Sequence, residues 1–107
     1  MIKPRLFCFG LGYTALRLAL YLLSKGWEVA GTVRDKKRVK EIENLGIEAL
    51  LFDRGCPLEN PAAKMMSASH LLSSVPPDQY GDTVLDTHGK NISDLCNTFK
   101  WIGYLST

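Results

Sequence analysis

Apolar residues in this chain come in short dense runs, and amphipathic stretches separate one run from the next. Arg5 to Phe9 is a short apolar run, which suits a strand buried on both faces. Glycines follow at once, and Tyr13 to Lys25 then carries helical spacing closed by Gly26. Trp27 to Val33 is β-rich and predicts a second strand. Asp35 can cap a helix through Lys37, Val39, Ile42 and Leu45, ended by Gly46, and Ile47 to Phe52 predicts a third strand. After a loop with Gly55 and Pro57, Asn60-Pro61 fits a cap with proline at the first helical position, opening a short helix to Met66. His70 to Val75 predicts strand four, stopped by Pro76-Pro77. Asp82 to Thr98 predicts a fourth helix weakened by Gly89 and Asn91, and Trp101 to Leu105 predicts strand five.

Strands alternating with helices predict an α/β fold: a doubly wound parallel sheet of about five strands with helices on both faces. The 107 residues allow one small domain, spanning 1–107, whose sequence stops at the carboxyl end of strand five. With 46% hydrophobic and 22% charged residues, the composition is that of a globular domain rather than a disordered one. No segment reaches the roughly 18 apolar residues of a membrane span, and no signal peptide is legible, so a cytoplasmic location with no membrane partner is expected. Cys8, Cys56 and Cys96 are an odd number without C-x-x-C spacing, which suggests neither a disulfide framework nor a metal site. His70 and His88 have no partner at ligand spacing and are expected to be structural. Cys8, in an apolar run, is expected in the core.

The strongest chemical signal is Gly10-Leu11-Gly12-Tyr13-Thr14-Ala15, a G-x-G-x-x-A pattern between the first strand and the first helix. Gly10 permits the tight turn, Gly12 lets backbone approach a pyrophosphate, and Ala15 lets helix and strand pack closely. The helix start offers unpaired N–H groups to phosphates. A dinucleotide is therefore the expected ligand. The end of strand two selects which one: Arg34 stands where an NAD site usually has a carboxylate, and a guanidinium suits a 2′-phosphate. Thr32 can add a hydroxyl. NADP is thus favoured over NAD. Asp53, just past strand three, could accept from the adenine amino group. The basic run Arg34 to Arg38 lacks interleaved aromatics and the net charge is only +2, so nucleic acid is not an expected partner.

These features together resemble the short-chain dehydrogenase/reductase superfamily, in its extended or atypical branch related to NAD-dependent epimerase/dehydratases. The matching residues are Gly10-x-Gly12-x-x-Ala15, Gly31-Thr32-x-Arg34, Asp53, Ser74-Val75-Pro76-Pro77 and Trp101 to Thr107. The resemblance covers essentially the whole chain, but only the N-terminal part of the family's Rossmann-like fold. It implies cofactor contacts from Ser74 and Val75 as well as from the glycine loop. It also aligns Thr107, with Ser106 beside it, on the family's catalytic Ser/Thr at the end of strand five. The catalytic Tyr-x-x-x-Lys pair has no counterpart there. Tyr21 to Lys25 spells it, but on the first helix, where Tyr21 is expected to pack.

The expected function is therefore the NADP(H)-binding N-terminal part of an oxidoreductase or epimerase-like enzyme, truncated after strand five and inactive by itself. A non-catalytic dinucleotide-binding or sensing module, or an inactive gene remnant, are the alternatives. Strand five would be an uncovered edge, so self-association or a companion fragment is expected there.

Overall fold

The computed structural model describes residues 3–104. Strands β1 (Arg5–Phe9), β2 (Glu28–Val33), β3 (Glu48–Leu51), β4 (His70–Ser73) and β5 (Trp101–Tyr104) alternate with helices α1 (Tyr13–Ser24), α2 (Lys36–Glu43), α3 (Pro61–Met66) and α4 (Thr83–Asp94). The five strands form one sheet in the order β3-β2-β1-β4-β5, every pairing parallel. The chain therefore winds outward from β1 to β3, then crosses to β4 on the other side of β1. That reversal between β1 and β4 is where ligands settle in open α/β sheets.

Side-chain alternation along the central strands divides the core in two. Leu6 and Cys8 point to the face covered by α1 and α2, packing with Ala15, Ala19, Val29, Ile42 and Leu72. Phe7 and Phe9 point to the face of α3 and α4, packing with Ala30, Phe52, Met65, Leu71 and Val84. Because β1 is buried on both faces, every residue from Leu6 to Phe9 must be apolar, as the unbroken run is. Burial pushes the Cys8 thiol up to about 12, so it is an inert core residue. His88 lies in the second core, accepting from the Leu58 N–H at 3.0 Å through Nε2, which leaves Nδ1–H to donate to Asn91 Oδ1 at 3.2 Å. Its role there is structural.

The elements are shorter than the sequence patterns suggest, because buried flanking residues continue the apolar runs beyond the paired backbone. Ile47 and Phe52 are core residues on either side of β3 rather than part of it, and Val75 follows β4 by two positions. Gly89 and Asn91 do not break α4, which runs on to Asp94, because Val84 and His88 anchor the helix in the core. Beyond Leu95 the chain turns, and Phe99 returns to the core. Asn60 precedes α3 as expected but does not cap it: its backbone is left-handed, at φ 48°, and its side chain bonds no helix N–H. Asp35 and Asp82 do cap, accepting from Lys37 N and Leu85 N. Tyr21 is not a packing residue. It is 58% exposed, with the Lys25 ammonium over its ring at 5.5 Å.

Gly31, in the middle of β2, is needed because the loop after β1 folds over it. A Cβ there would lie 2.5 Å from Leu11 Cδ1 and 2.6 Å from Leu11 Cγ, and Leu11 is buried. Gly31→Ala should therefore destabilise the fold by about 1–3 kcal/mol through overpacking. Urea unfolding should show a lower midpoint with an unchanged slope.

Candidate functional site

The carboxyl ends of β1 to β4 surround a cavity of about 420 Å³, lined by Gly10, Leu11 and Gly12 after β1, Thr32 and Arg34 at β2, Asp53 after β3 and Ser74 and Val75 after β4. The residues singled out in the sequence from four separate segments thus converge on one cleft. Tyr13, Thr14 and Ala15, in the first turn of α1, are not among the residues that line it. Ala15 is buried against the sheet, while Tyr13 projects outward and accepts from Arg17 Nη1 at 3.2 Å. Ser106 and Thr107 lie outside the described residues.

The loop leaving β1 is shaped by exclusion on one side and openness on the other. Gly10 has φ +88°, and a Cβ on it would lie 2.9 Å from Val75 Cγ2 and 3.2 Å from the Ser74 carbonyl carbon. Only glycine fits there. Gly12 has nothing within 4 Å of its Cβ position, so the space above it opens to the cleft. Gly12 is also the N-cap of α1, where no side chain caps the helix and the first turn carries no acidic residue. The first-turn N–H groups and the positive end of the helix dipole are therefore available to an anion. The loop is held from below by Thr32, buried in β2: its Oγ1 accepts from Gly10 N at 2.8 Å and its carbonyl from Leu11 N at 2.9 Å. Thr32 therefore supports the loop, and because its Oγ1 is the acceptor there, its O–H remains a donor at the cavity it lines.

The β2 side of the cleft is basic. Arg34 is exposed at the strand tip and makes no ion pair among the described residues. Arg38, on α2, lines the same cavity. Its Nη2 reaches the Leu11 carbonyl at 3.4 Å, its Nε is 4.0 Å from a Glu41 carboxylate oxygen, and that buried Nε has no hydrogen-bond partner among the described residues. A buried donor without an acceptor, beside a free guanidinium and a helix N-terminus, fits a phosphate group. In the sequence Arg38 is only one residue of a basic helix start. Its position one turn past the strand tip was the available signal.

The turns after β3, the neighbour of β2, and after β4 are acidic. Asp53 Oδ1 accepts from the Arg54 N–H at 2.8 Å, in a turn closed by paired Asp53 and Cys56 backbone bonds. The Arg54 guanidinium grips both oxygens of Asp78 at 2.7 and 2.9 Å and one of Asp86 at 3.0 Å. Hydrogen bonding from Arg54 holds the Asp78 carboxyl down at about 2. Nothing in the sequence distinguished Arg54 from a surface residue, since its partners lie in another loop.

No protein-family model matches the chain, and no curated protein matches it. Among solved structures it is similar to a functionally unknown conserved protein from Silicibacter pomeroyi DSS, at 39% identity and TM-score 0.83, over 98% of this chain and 36% of that one. It is also similar to Gre2 from Candida albicans in complex with NADPH, at 17% identity and TM-score 0.76, over 98% of this chain and 37% of that one. Vestitone reductase from alfalfa (Medicago sativa L.) aligns at 20% identity and TM-score 0.62, over 95% of this chain and 36% of that one. The chain thus spans little more than a third of the length of the structures it matches.

Two outcomes follow from this geometry. Thr32→Val should cost about 1–3 kcal/mol, because it leaves the Gly10 N–H without its acceptor, and chemical denaturation will measure the loss. Asp78 has a folded pKa below its ordinary 3.8, so its contribution to stability is present above that pH and lost as pH falls toward about 2. Thermal melts between pH 5 and pH 2 should therefore show a larger acid-induced drop for the native chain than for Asp78→Asn.

Proposed function

We propose that this chain, whose fold is that of the N-terminal portion of the extended short-chain dehydrogenase/reductases, is the NADP(H)-binding part of an oxidoreductase or epimerase-like enzyme. One observation carries the reading: the open, uncapped start of α1 at Gly12 faces the same cavity as Arg34 and Arg38. In this reading the pyrophosphate rests on the N–H groups at the start of α1, close to the backbone of Gly10, Leu11 and Gly12. The 2′-phosphate is taken by Arg34 and Arg38, and Asp53 accepts from the adenine amino group. Ser74 and Val75 contact the cofactor from the strand reversal, where they line the cleft.

When bound, the dinucleotide would supply hydride chemistry. What the chain's own residues do is bind and orient it. Ser106 and Thr107 are proposed at the substrate oxygen by their place after β5. The residues named here bind and orient the dinucleotide, and none of them is assigned an acid–base step on the substrate. NAD is the alternative cofactor, and the charge at the β2 tip argues for the phosphorylated one. A sensing module without catalysis would use the same cleft.

Calorimetric titration with NADP⁺ and NAD⁺ side by side tests the proposal. The native chain should bind NADP⁺ saturably and more tightly. Arg34→Ala should lose the roughly 1.5–3 kcal/mol of a charge-assisted hydrogen bond, about tenfold to a hundredfold, for NADP⁺ and little for NAD⁺. A folded chain that gives no heat with either dinucleotide would sink the reading.

A further inference from the structure

Arg54 joins two turns that strand pairing does not bring together. One follows β3 and the other follows β4, and in the sheet β2 and β1 lie between those strands. The contact therefore spans the far side of the cleft. All the guanidinium's reach is spent on the second turn. Nε and Nη2 bind Asp78 side-on, Nη1 binds Asp86 at the start of α4, and Nη2 also approaches the Gly81 carbonyl at 3.4 Å and Thr83 Oγ1 at 3.5 Å. The second turn is built to receive it. Asp78 and Gly81 exchange backbone bonds at 2.9 and 3.1 Å, Asp78 Oδ1 takes the Tyr80 N–H at 2.8 Å, and the Tyr80 ring lies 5.6 Å from the guanidinium carbon. Gly81, at φ +119°, supplies the turn's left-handed corner.

We infer that Arg54 is a positioning residue for the adenosine end of the cleft: by tying the β3 turn to the loop after β4 it fixes the distance between Asp53 and the Val75–Asp78 wall. The inference rests on the dinucleotide reading above. Arg54 itself does not line the cavity, whereas Asp53, Asp78 and Thr83 do, so it acts on the ligand through them. Its charge has a second effect. Asp78 and Asp86 both meet it, and without the guanidinium between them these two carboxylates would repel one another and spread the wall. A bidentate fork is required, since a lysine can meet Asp78 or Asp86 but cannot hold both in one plane.

The test is a double-variant cycle read by calorimetry well below the melting temperature. The probes are NADP⁺ and 2′-phospho-ADP-ribose, which lacks the nicotinamide, and the variants are Arg54→Gln, Asp78→Asn, both together, and Arg54→Lys. Each single neutral variant should weaken both probes by about tenfold and by the same factor, since the defect lies at the shared end. The double variant should be no weaker than the worse single one, and Arg54→Lys should fall between it and the native chain. Arg54→Lys decides the matter should Arg54→Gln not fold. Lowered melting with affinity within twofold of native would reduce Arg54 to a structural role and overturn the inference. So would a double variant showing the product of the two single losses, which would mean that Arg54 acts on the ligand directly. A native chain that binds neither probe overturns the dinucleotide reading and this inference with it, and is distinct from both other failures.

Discussion

The site depends on how the chain leaves β1. A strand buried on both faces must end, turn and begin a helix within three residues, and its backbone donors must be satisfied where no water reaches. Thr32 resolves this from the neighbouring strand, giving its hydroxyl oxygen to the Gly10 N–H and its carbonyl to the Leu11 N–H. Two glycines make the geometry accessible, for different reasons. Gly10 has to be small because Val75 and the Ser74 backbone stand against it, whereas Gly31 has to be small because Leu11 lies on it. Loop, β2 and the end of β4 are thus mutually fitted, and the open space at Gly12 is what that fit leaves over.

Around this pivot the cleft is electrostatically divided. Arg34 and Arg38 stand with the positive end of α1, while Asp53 and the carboxylates gathered by Arg54 belong to the turns after β3 and β4. An anionic ligand meets attraction from the arginines and the helix start and repulsion from the acidic turns, so the distribution sets its orientation as well as its affinity. Partly exposed ion pairs of the Arg54 kind contribute little to global stability. Their effect lies in geometry, because a bidentate pair restricts both turns at once.

Much of this organisation was legible in the sequence. The continuous run at β1 and the glycines beyond it defined a buried strand opening a helix, and the carboxyl-end residues from four segments meet in one cleft. Local signals were misleading where tertiary contacts decide. Gly89 and Asn91 lower intrinsic helix propensity, yet α4 persists because Val84 and His88 are buried. Asn60 had the right identity and place for a cap, but a left-handed backbone turns its side chain away. Arg54 was invisible for a different reason: its partners are 24 and 32 residues away, and a single arginine in a loop carries no periodicity to betray them. Tyr21 lies two residues past Ala19, about 200° around the helix, so its ring faces away from the buried stripe.

The outer strand offers one more consequence. In β5, Trp101 is half exposed and its indole lies over Gly103, where any Cβ would collide with the ring. The other tryptophan, Trp27, is partly buried with its ring 4.7 Å from that of His70, in the strand next to β5. The protein therefore contains two natural fluorophores in contrasting surroundings, one partly wet on the last strand and one beside an imidazole at the opposite end of the strands from the cleft. Because His70 is also the register partner of Trp101, both tryptophans flank one histidine, and tryptophan emission would report on that end of the sheet without any added label.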